Sequence, residues 1–281
     1  MPKIILTAEL VDRYRAWLLA AEKSSATAEK YVREVSAFAE YLRGGALIRE
    51  RALEYKNKRI SDGCAPTGVN STVAALNSLF DFLKTPDCRL KSLRVQRRAF
   101  CSERKELSRE EYIRLVKTAE RNKNDRLSLM LRTICGTGVR VGELRFITVE
   151  AARSGEAEVT NKGKTRTVFL VRDLRKKLLA YAKSRGIVSG AVFVTRSGKP
   201  VNRVNVWREM KALCAQARVS PEKVFPHNLR HLFARTFYGL EKDIAKLADI
   251  LGHSSVDTTR IYIISTGEEH RRQMERMRLV C

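Results

Sequence analysis

Apolar positions recur at spacings of three and four through most of the chain, which is the signature of helices that bury one face. Leu10, Tyr14, Trp17, Leu18 and Ala21 form one such stripe, with Thr7 placed to cap its start. Tyr31, Val35, Phe38 and Leu42 form a second, for which Thr27 is the candidate cap and Gly44-Gly45 the stop. A third helix is expected from Ala46 to Lys58. The stretch SDGCAPTG breaks the pattern, and Val69, Val73, Leu76, Phe80 and Leu83 then make a fourth stripe. These stripes predict a small helical bundle over residues 1–84. They read as core, not as cofactor contacts.

Helical periodicity resumes at LSREEYIRLVKTAE, where Ser108 and Glu111 have the spacing of a capping box and Tyr112, Leu115, Val116 and Ala119 line one face. Another helix is expected through DRLSLMLRTIC, stopped at Gly136-Thr137-Gly138. The period then changes. EAEVTNKGKTRTVFL holds two β-rich runs around Asn161-Lys162-Gly163-Lys164, a hairpin signal, and AVFVT reads as a further short strand. Helices return in VNVWREMKALCAQA, HNLRHLFARTFYG and KDIAKLADILG. The expected fold is mainly α with a small antiparallel β-sheet: a helical domain over 1–84 and an α/β domain over 106–281.

Residues 85–105 join the two as a basic linker. The stretch KTPDCRLKSLRVQRRAFCSERK carries eight basic residues against two acidic ones. A charge run is ordinarily a solvated surface. Between two folded regions it also suits a segment laid along a phosphate backbone, with Arg94, Arg97 and Arg98 as contact candidates.

Composition strengthens that reading. The 281 residues are 44% hydrophobic, enough to bury a sizeable core, yet the formal net charge is +24. Such an excess points to a polyanion, and nucleic acid comes first because neutralised phosphates release counterions. A membrane surface comes second. No apolar run is long enough to span a bilayer, and MPKIILTAELVDRYR lacks the apolar region of a signal peptide. A soluble protein of the cytoplasm and nucleoid is expected. Cys64, Cys88, Cys101, Cys135, Cys214 and Cys281 are scattered without a CxxC pair, which argues for reduced thiols over a zinc ribbon or disulfide framework.

The candidate chemistry lies in the second region. Arg140 follows the Gly136-Thr137-Gly138 turn, three residues before Glu143, a pair that by itself could be plain helix stabilisation. His227 and Arg230 in PHNLRHLFAR share a helix face, with His231 beside them. LGHSSVDTTRIYI places His253 nine residues before Tyr262. Alone, that segment suits a tyrosine filling a core as well as a nucleophile. The histidines lack the HExxH spacing of a catalytic zinc site, so no metal ligands are assigned. Two arginines with a histidine suit a phosphate, because guanidinium forks meet its oxygens bidentately and keep their charge. A tyrosine nucleophile would form a covalent phosphotyrosine. Its phenol, with a pKa of about 10, needs a nearby base or cationic donors.

The set Arg140 in TGVRVGEL, a lysine in NKGK, His227 and Arg230 in HNLRH, His253 in LGHSS and Tyr262 in TTRIYI resembles the tyrosine recombinase, or phage integrase, family. Order and spacing both match, and the resemblance covers residues 107–281. The front helices resemble the family's core-binding domain in type and length only. The resemblance implies an α/β catalytic domain of the DNA breaking-rejoining type. It implies that Tyr262 attacks a scissile DNA phosphate to form a 3′-phosphotyrosine and free a 5′-hydroxyl. Arg140 and Arg230 would clamp the phosphate, His227 would accept the tyrosine proton or bond the phosphate, and His253 would hold a non-bridging oxygen. A hairpin lysine would protonate the leaving oxygen. NKGKTRTVFL is one residue shorter than the family's GKGxKxRxVPL, so Lys162 and Lys164 both fit, with Lys162 favoured by its place at the start of the turn. Glu143 would support by orienting an Arg or a strand, and His231 by packing.

The resemblance further implies strand exchange through a Holliday junction without metal, ATP or other cofactor. The partner would be double-stranded DNA with paired inverted sites, bound by a homotetramer or by a heteromer with a related recombinase. The first helix begins near Thr7, which leans toward a Xer-like or transposon/integron-type enzyme with no arm-binding domain in front. Ile264, Met274, Met277 and Leu279 suggest a C-terminal amphipathic helix that docks on a neighbouring subunit. Two rivals remain. A type IB topoisomerase would relax any supercoiled plasmid without exchanging specific sites. A DNA-binding regulator without catalysis would tolerate loss of the tyrosine.

Overall fold

The computed structural model describes residues 4–95, 106–161, 163–195, 197–253, 255–262 and 274–277. It divides into two compact units, Met1–Arg97 and Arg98–Cys281.

The first unit is built of α1 (Ala8–Ala20), α2 (Ser25–Leu42), α3 (Arg49–Ser61) and α4 (Pro66–Phe82) around Tyr14, Leu18, Val35, Phe38, Leu76 and Phe80. Thr7 caps α1 by accepting from the Leu10 amide at 3.3 Å. The start of α2 differs from expectation. Ser24, not Thr27, is the cap, and the extra turn buries Ala28. Helix α3 also begins later than Ala46, because Ala46 bridges Ile5 and the Leu47 amide bonds the Ile4 carbonyl, which keeps that stretch extended.

The expected linker start at residue 85 needs correction. Residues 86–93 are folded onto the first unit, with Cys88 and Leu90 in its core. Two asparagines one heptad apart on α4 hold the segment. Asn77 accepts from the Leu90 amide at 2.8 Å and donates to its carbonyl at 3.0 Å. Asn70 does the same with Leu93, at 2.7 and 2.9 Å. Each amide side chain thus imitates a neighbouring strand for backbone that would otherwise lack partners. Arg94 is exposed just beyond this clamp, while Arg97 and Arg98 lie outside the described residues.

The second unit comprises α5 (Arg109–Arg121), α6 (Asp125–Thr137), a 3-10 turn (Val141–Phe146), α7 (Val149–Ser154), β1 (Glu156–Asn161), β2 (Lys164–Phe169), α8 (Arg172–Ser184), α9 (Arg203–Ala217), α10 (Pro226–Glu241), α11 (Ile244–Leu251) and α12 (Val256–Arg260). The capping box at Ser108 and Glu111 forms as expected. Strands β1 and β2 pair antiparallel, with Glu156 opposite Phe169 and Asn161 opposite Lys164. AVFVT does not become a strand. It makes only single bridges, Thr148 to Ala191 and Val194 to Pro200, because Thr148 caps α7 and offers no extended partner beyond that point. Helices α7 and α8 were not anticipated. The α8 stripe of Leu174, Leu178 and Ala182 is narrow in an otherwise charged segment. A core including Leu115, Met130, Ile134, Leu144, Phe193 and Leu229 joins these elements. Tyr262 packs in a smaller cluster with Ala234, Leu247 and Leu251. Among the described residues no helix is long and apolar enough to cross a membrane.

Candidate active site

Gly138 starts the site. It ends α6 with φ +69°, a conformation that favours glycine, and an added Cβ would lie 2.6 Å from the Phe233 ring. The turn delivers Arg140 as the residue before the 3-10 turn. Arg140 bonds Glu143 twice, from its amide at 2.8 Å and from Nη1 at 2.9 Å. Glu143 is only 3% exposed. Its second partner is Arg166 on β2, which donates to both carboxylate oxygens at 2.7 and 3.2 Å. Burial alone would raise the Glu143 pKa. Hydrogen bonds from Arg166 and Arg140 overcome this and hold it at about 2. One carboxylate thus joins the Arg140 turn to the hairpin.

Arg166 also donates from Nε to the Ile250 carbonyl at 3.1 Å. Gly252, with φ +64°, ends α11 beneath it, and a Cβ there would lie 2.7 Å from the Arg166 Cδ. Sequence reasoning did not single out Arg166. Its signal is the arginine two residues after Lys164, on a strand whose alternation turns it away from solvent.

Arg230 on α10 is 1% exposed. Its Nη1 donates to the Gly138 carbonyl, and its Nη2 to the Leu251 carbonyl at 2.7 Å and to His253 Nε2 at 2.9 Å. Among the described residues its Nε–H has no partner. Burial, then the charge of Arg140, lowers its pKa to about 10, so it stays cationic at neutral pH. Because a guanidinium only donates, His253 Nε2 must accept. The ring proton therefore sits on Nδ1, which faces Thr259 Oγ1 at 2.9 Å. Thr259 is fully buried, and it too escaped sequence reasoning. Burial, then Arg230, Arg140 and Arg166, pushes the His253 pKa down to about 4.

Tyr262 follows α12. It is 5% exposed, so it fills a core and also presents a bonded hydroxyl: its Oη lies 3.2 Å from His227 Nε2. His227 opens α10 on the solvent side. The protein around its ring, then Arg230 and Arg140, lowers its pKa. His231 stacks on the Tyr262 ring with centroids 4.3 Å apart.

The structure thus brings Arg140, Glu143, His227, Arg230, His231, His253 and Tyr262 into one network. Lys164 opens β2 as an exposed residue opposite Asn161. Lys162 lies outside the described residues, as do Ile264 and Leu279 of the expected C-terminal helix. Residues 274–277 are helical, with Met274 and Met277 exposed. Among the described residues no group of three or more His, Cys, Asp or Glu is arranged to hold a metal.

Residues 105–269 match the Phage integrase family. The chain is 30% identical to tyrosine recombinase XerA of Thermococcus kodakarensis, over 97% of this chain and 96% of that protein. The crystal structure of XerA recombinase aligns at 24% identity and a TM-score of 0.54, covering 96% of this chain and 98% of that one. A lambda integrase tetramer bound to a Holliday junction aligns at 19% identity and a TM-score of 0.74, covering 93% and 78%.

Proposed function

Since the chain belongs to the phage integrase family and is a tyrosine-type site-specific DNA recombinase, we propose that Tyr262 is its nucleophile and that it acts through a 3′-phosphotyrosine. The carrying observation is the Tyr262 hydroxyl 3.2 Å from His227 Nε2, beside the buried Arg230 cation. The phenol oxygen attacks the scissile phosphorus, its proton passes to His227, and the bond to the 5′-oxygen breaks. Lys162, or Lys164 in its place, protonates that oxygen as it leaves. Charge builds on the non-bridging oxygens, where preorganised donors stabilise the transition state most. Arg140 and the Nε–H of Arg230 supply those donors. A phosphodiester between the two arginines also offsets the positive field that depresses His227 and His253. His253 can then give up the bond from Arg230, take a proton on Nε2 and donate to the phosphate.

The 5′-hydroxyl of a second strand then attacks the phosphotyrosine, so the bond energy is retained and neither ATP nor metal is required. Two such exchanges pass through a Holliday junction, in a homotetramer or a heteromer with a related recombinase on paired inverted DNA sites. Arg94, Arg97 and Arg98 in the basic segment would contact the DNA phosphate backbone. The C-terminal segment docks on the neighbouring subunit, and a chain ending near residue 267 should lose assembly and recombination.

The DNA site is first identified by sequencing fragments the protein protects. A duplex of that site, nicked beside the cleavage position, traps the covalent adduct. Tyr262→Phe should bind this DNA and give no adduct, and EDTA should leave wild-type cleavage intact. An adduct in Tyr262→Phe would sink the nucleophile assignment. Relaxation of any supercoiled plasmid without site exchange would favour a topoisomerase.

A further inference from the structure

His227, His231 and Ala234 lie at positions i, i+4 and i+7 of α10, so they share one face of that helix. The Tyr262 ring lies along this face. Its oxygen end meets His227, its ring meets His231 in a stacked arrangement at 4.3 Å and 26°, and its buried end joins Ala234 and Leu251. Helix α12, which delivers the tyrosine, has only five residues. A helix that short does not hold itself together, so contacts of the ring must fix where the hydroxyl points.

From this geometry we infer that His231 is a positioning residue: its uncharged ring is a platform that keeps the Tyr262 phenol seated in its own subunit's site before DNA binds. This rests on Tyr262 being the nucleophile. His231 bears on the face of the phenol, not on its oxygen, so it moves no proton in the reaction. Its charge state suits the task. A cationic ring would crowd Arg230 and Arg140, and burial, then His227 and Arg230, holds its pKa at about 4. At neutral pH it offers a flat, neutral face of the kind aromatic rings stack on.

The test needs no DNA at first. The full chain is treated with tetranitromethane, and nitration of Tyr262 is followed by mass spectrometry of its peptide. His231→Ala should raise Tyr262 nitration by roughly 2- to 12-fold, the range expected for loss of one aromatic pair. His231→Phe should restore protection, because it keeps a ring and discards the nitrogens. His231→Leu, which fills the space without a ring face, should behave like His231→Ala and serves if that variant folds poorly. Adduct formation on the nicked duplex should fall in the same order, with DNA affinity unchanged. The inference is overturned if His231→Ala leaves both readouts at wild-type level, or if His231→Phe is as defective as His231→Ala. An adduct in Tyr262→Phe would overturn the nucleophile reading instead and leave the nitration result standing.

Discussion

Glu143→Gln removes one charge from the centre of the second unit and keeps the side chain's size. In the native protein that charge meets two arginines, and the Glu143 side chain is only 4% exposed. A carboxyl held at about 2 against an ordinary 4.5 corresponds to about 3 kcal/mol of stabilisation at neutral pH. That agrees with the ~3–5 kcal/mol cost of breaking a buried ion pair from one side. The amide can still accept one hydrogen bond, so the lower figure applies. For a unit of this size about 3 kcal/mol lowers the unfolding midpoint by roughly 6–12 °C. The pH dependence carries a definite sign. A depressed carboxyl pKa gives stability that is complete above 4.5 and lost as pH falls toward 2, so wild type and variant should converge in that window. The assay is thermal unfolding of the full chain from pH 7 to pH 2.5, read on the transition of the second unit. A midpoint change under about 2 °C at pH 7, or a gap that stays constant down to pH 2.5, would refute the ion-pair account.

Gly252→Ala should destabilise the second unit by about 1–3 kcal/mol and slow cleavage, because a left-handed residue gains a Cβ against Arg166; chemical denaturation and adduct yield check both. Asn70→Ala with Asn77→Ala should release residues 86–93, so limited trypsin digestion should cut faster at Arg89 and Lys91 while α4 stays intact. Thr259→Val should lower adduct yield with little loss of DNA affinity, since His253 loses the acceptor for its Nδ1 proton. His231 and His253 have pKa values lowered from 6.5 to about 4, so their uncharged forms favour the fold. Stability should be full above pH 6.5 and fall between 6.5 and about 4. His231→Phe should flatten part of that slope in the unfolding midpoint.

The helices were legible where a stripe was broad and its cap chemistry strong. Ser108 with Glu111 marked a start that the structure keeps, and Gly138 marked a stop. Ser24 displaced Thr27 because two hydroxyls three residues apart both fit a cap, and burial of Ala28 decides between them. Helix α8 went unread because its buried stripe is three residues wide in a run of lysines and arginines. The folded segment 86–93 was hidden by its charge. Its basic side chains point to solvent while Asn70 and Asn77 capture its backbone, and side-chain patterning carries no signal of that.

The sequence by itself singled out the candidate set, because phosphate chemistry needs fixed cations, a base and a nucleophile, and Arg140, His227, Arg230, His253 and Tyr262 stand in a recognisable order. Tertiary structure alone decided how that set is held. Arg166 reaches Glu143 across 23 residues, and Arg230 reaches Gly138 across 92, Leu251 across 21 and His253 across 23. Such pairs arise where α6, α10, α11 and the hairpin converge, so nothing local announces them. The tyrosine that LGHSSVDTTRIYI left between core and chemistry is buried on a helix face and bonded through its hydroxyl, because one ring can pack on its face while its oxygen stays at the edge of the site.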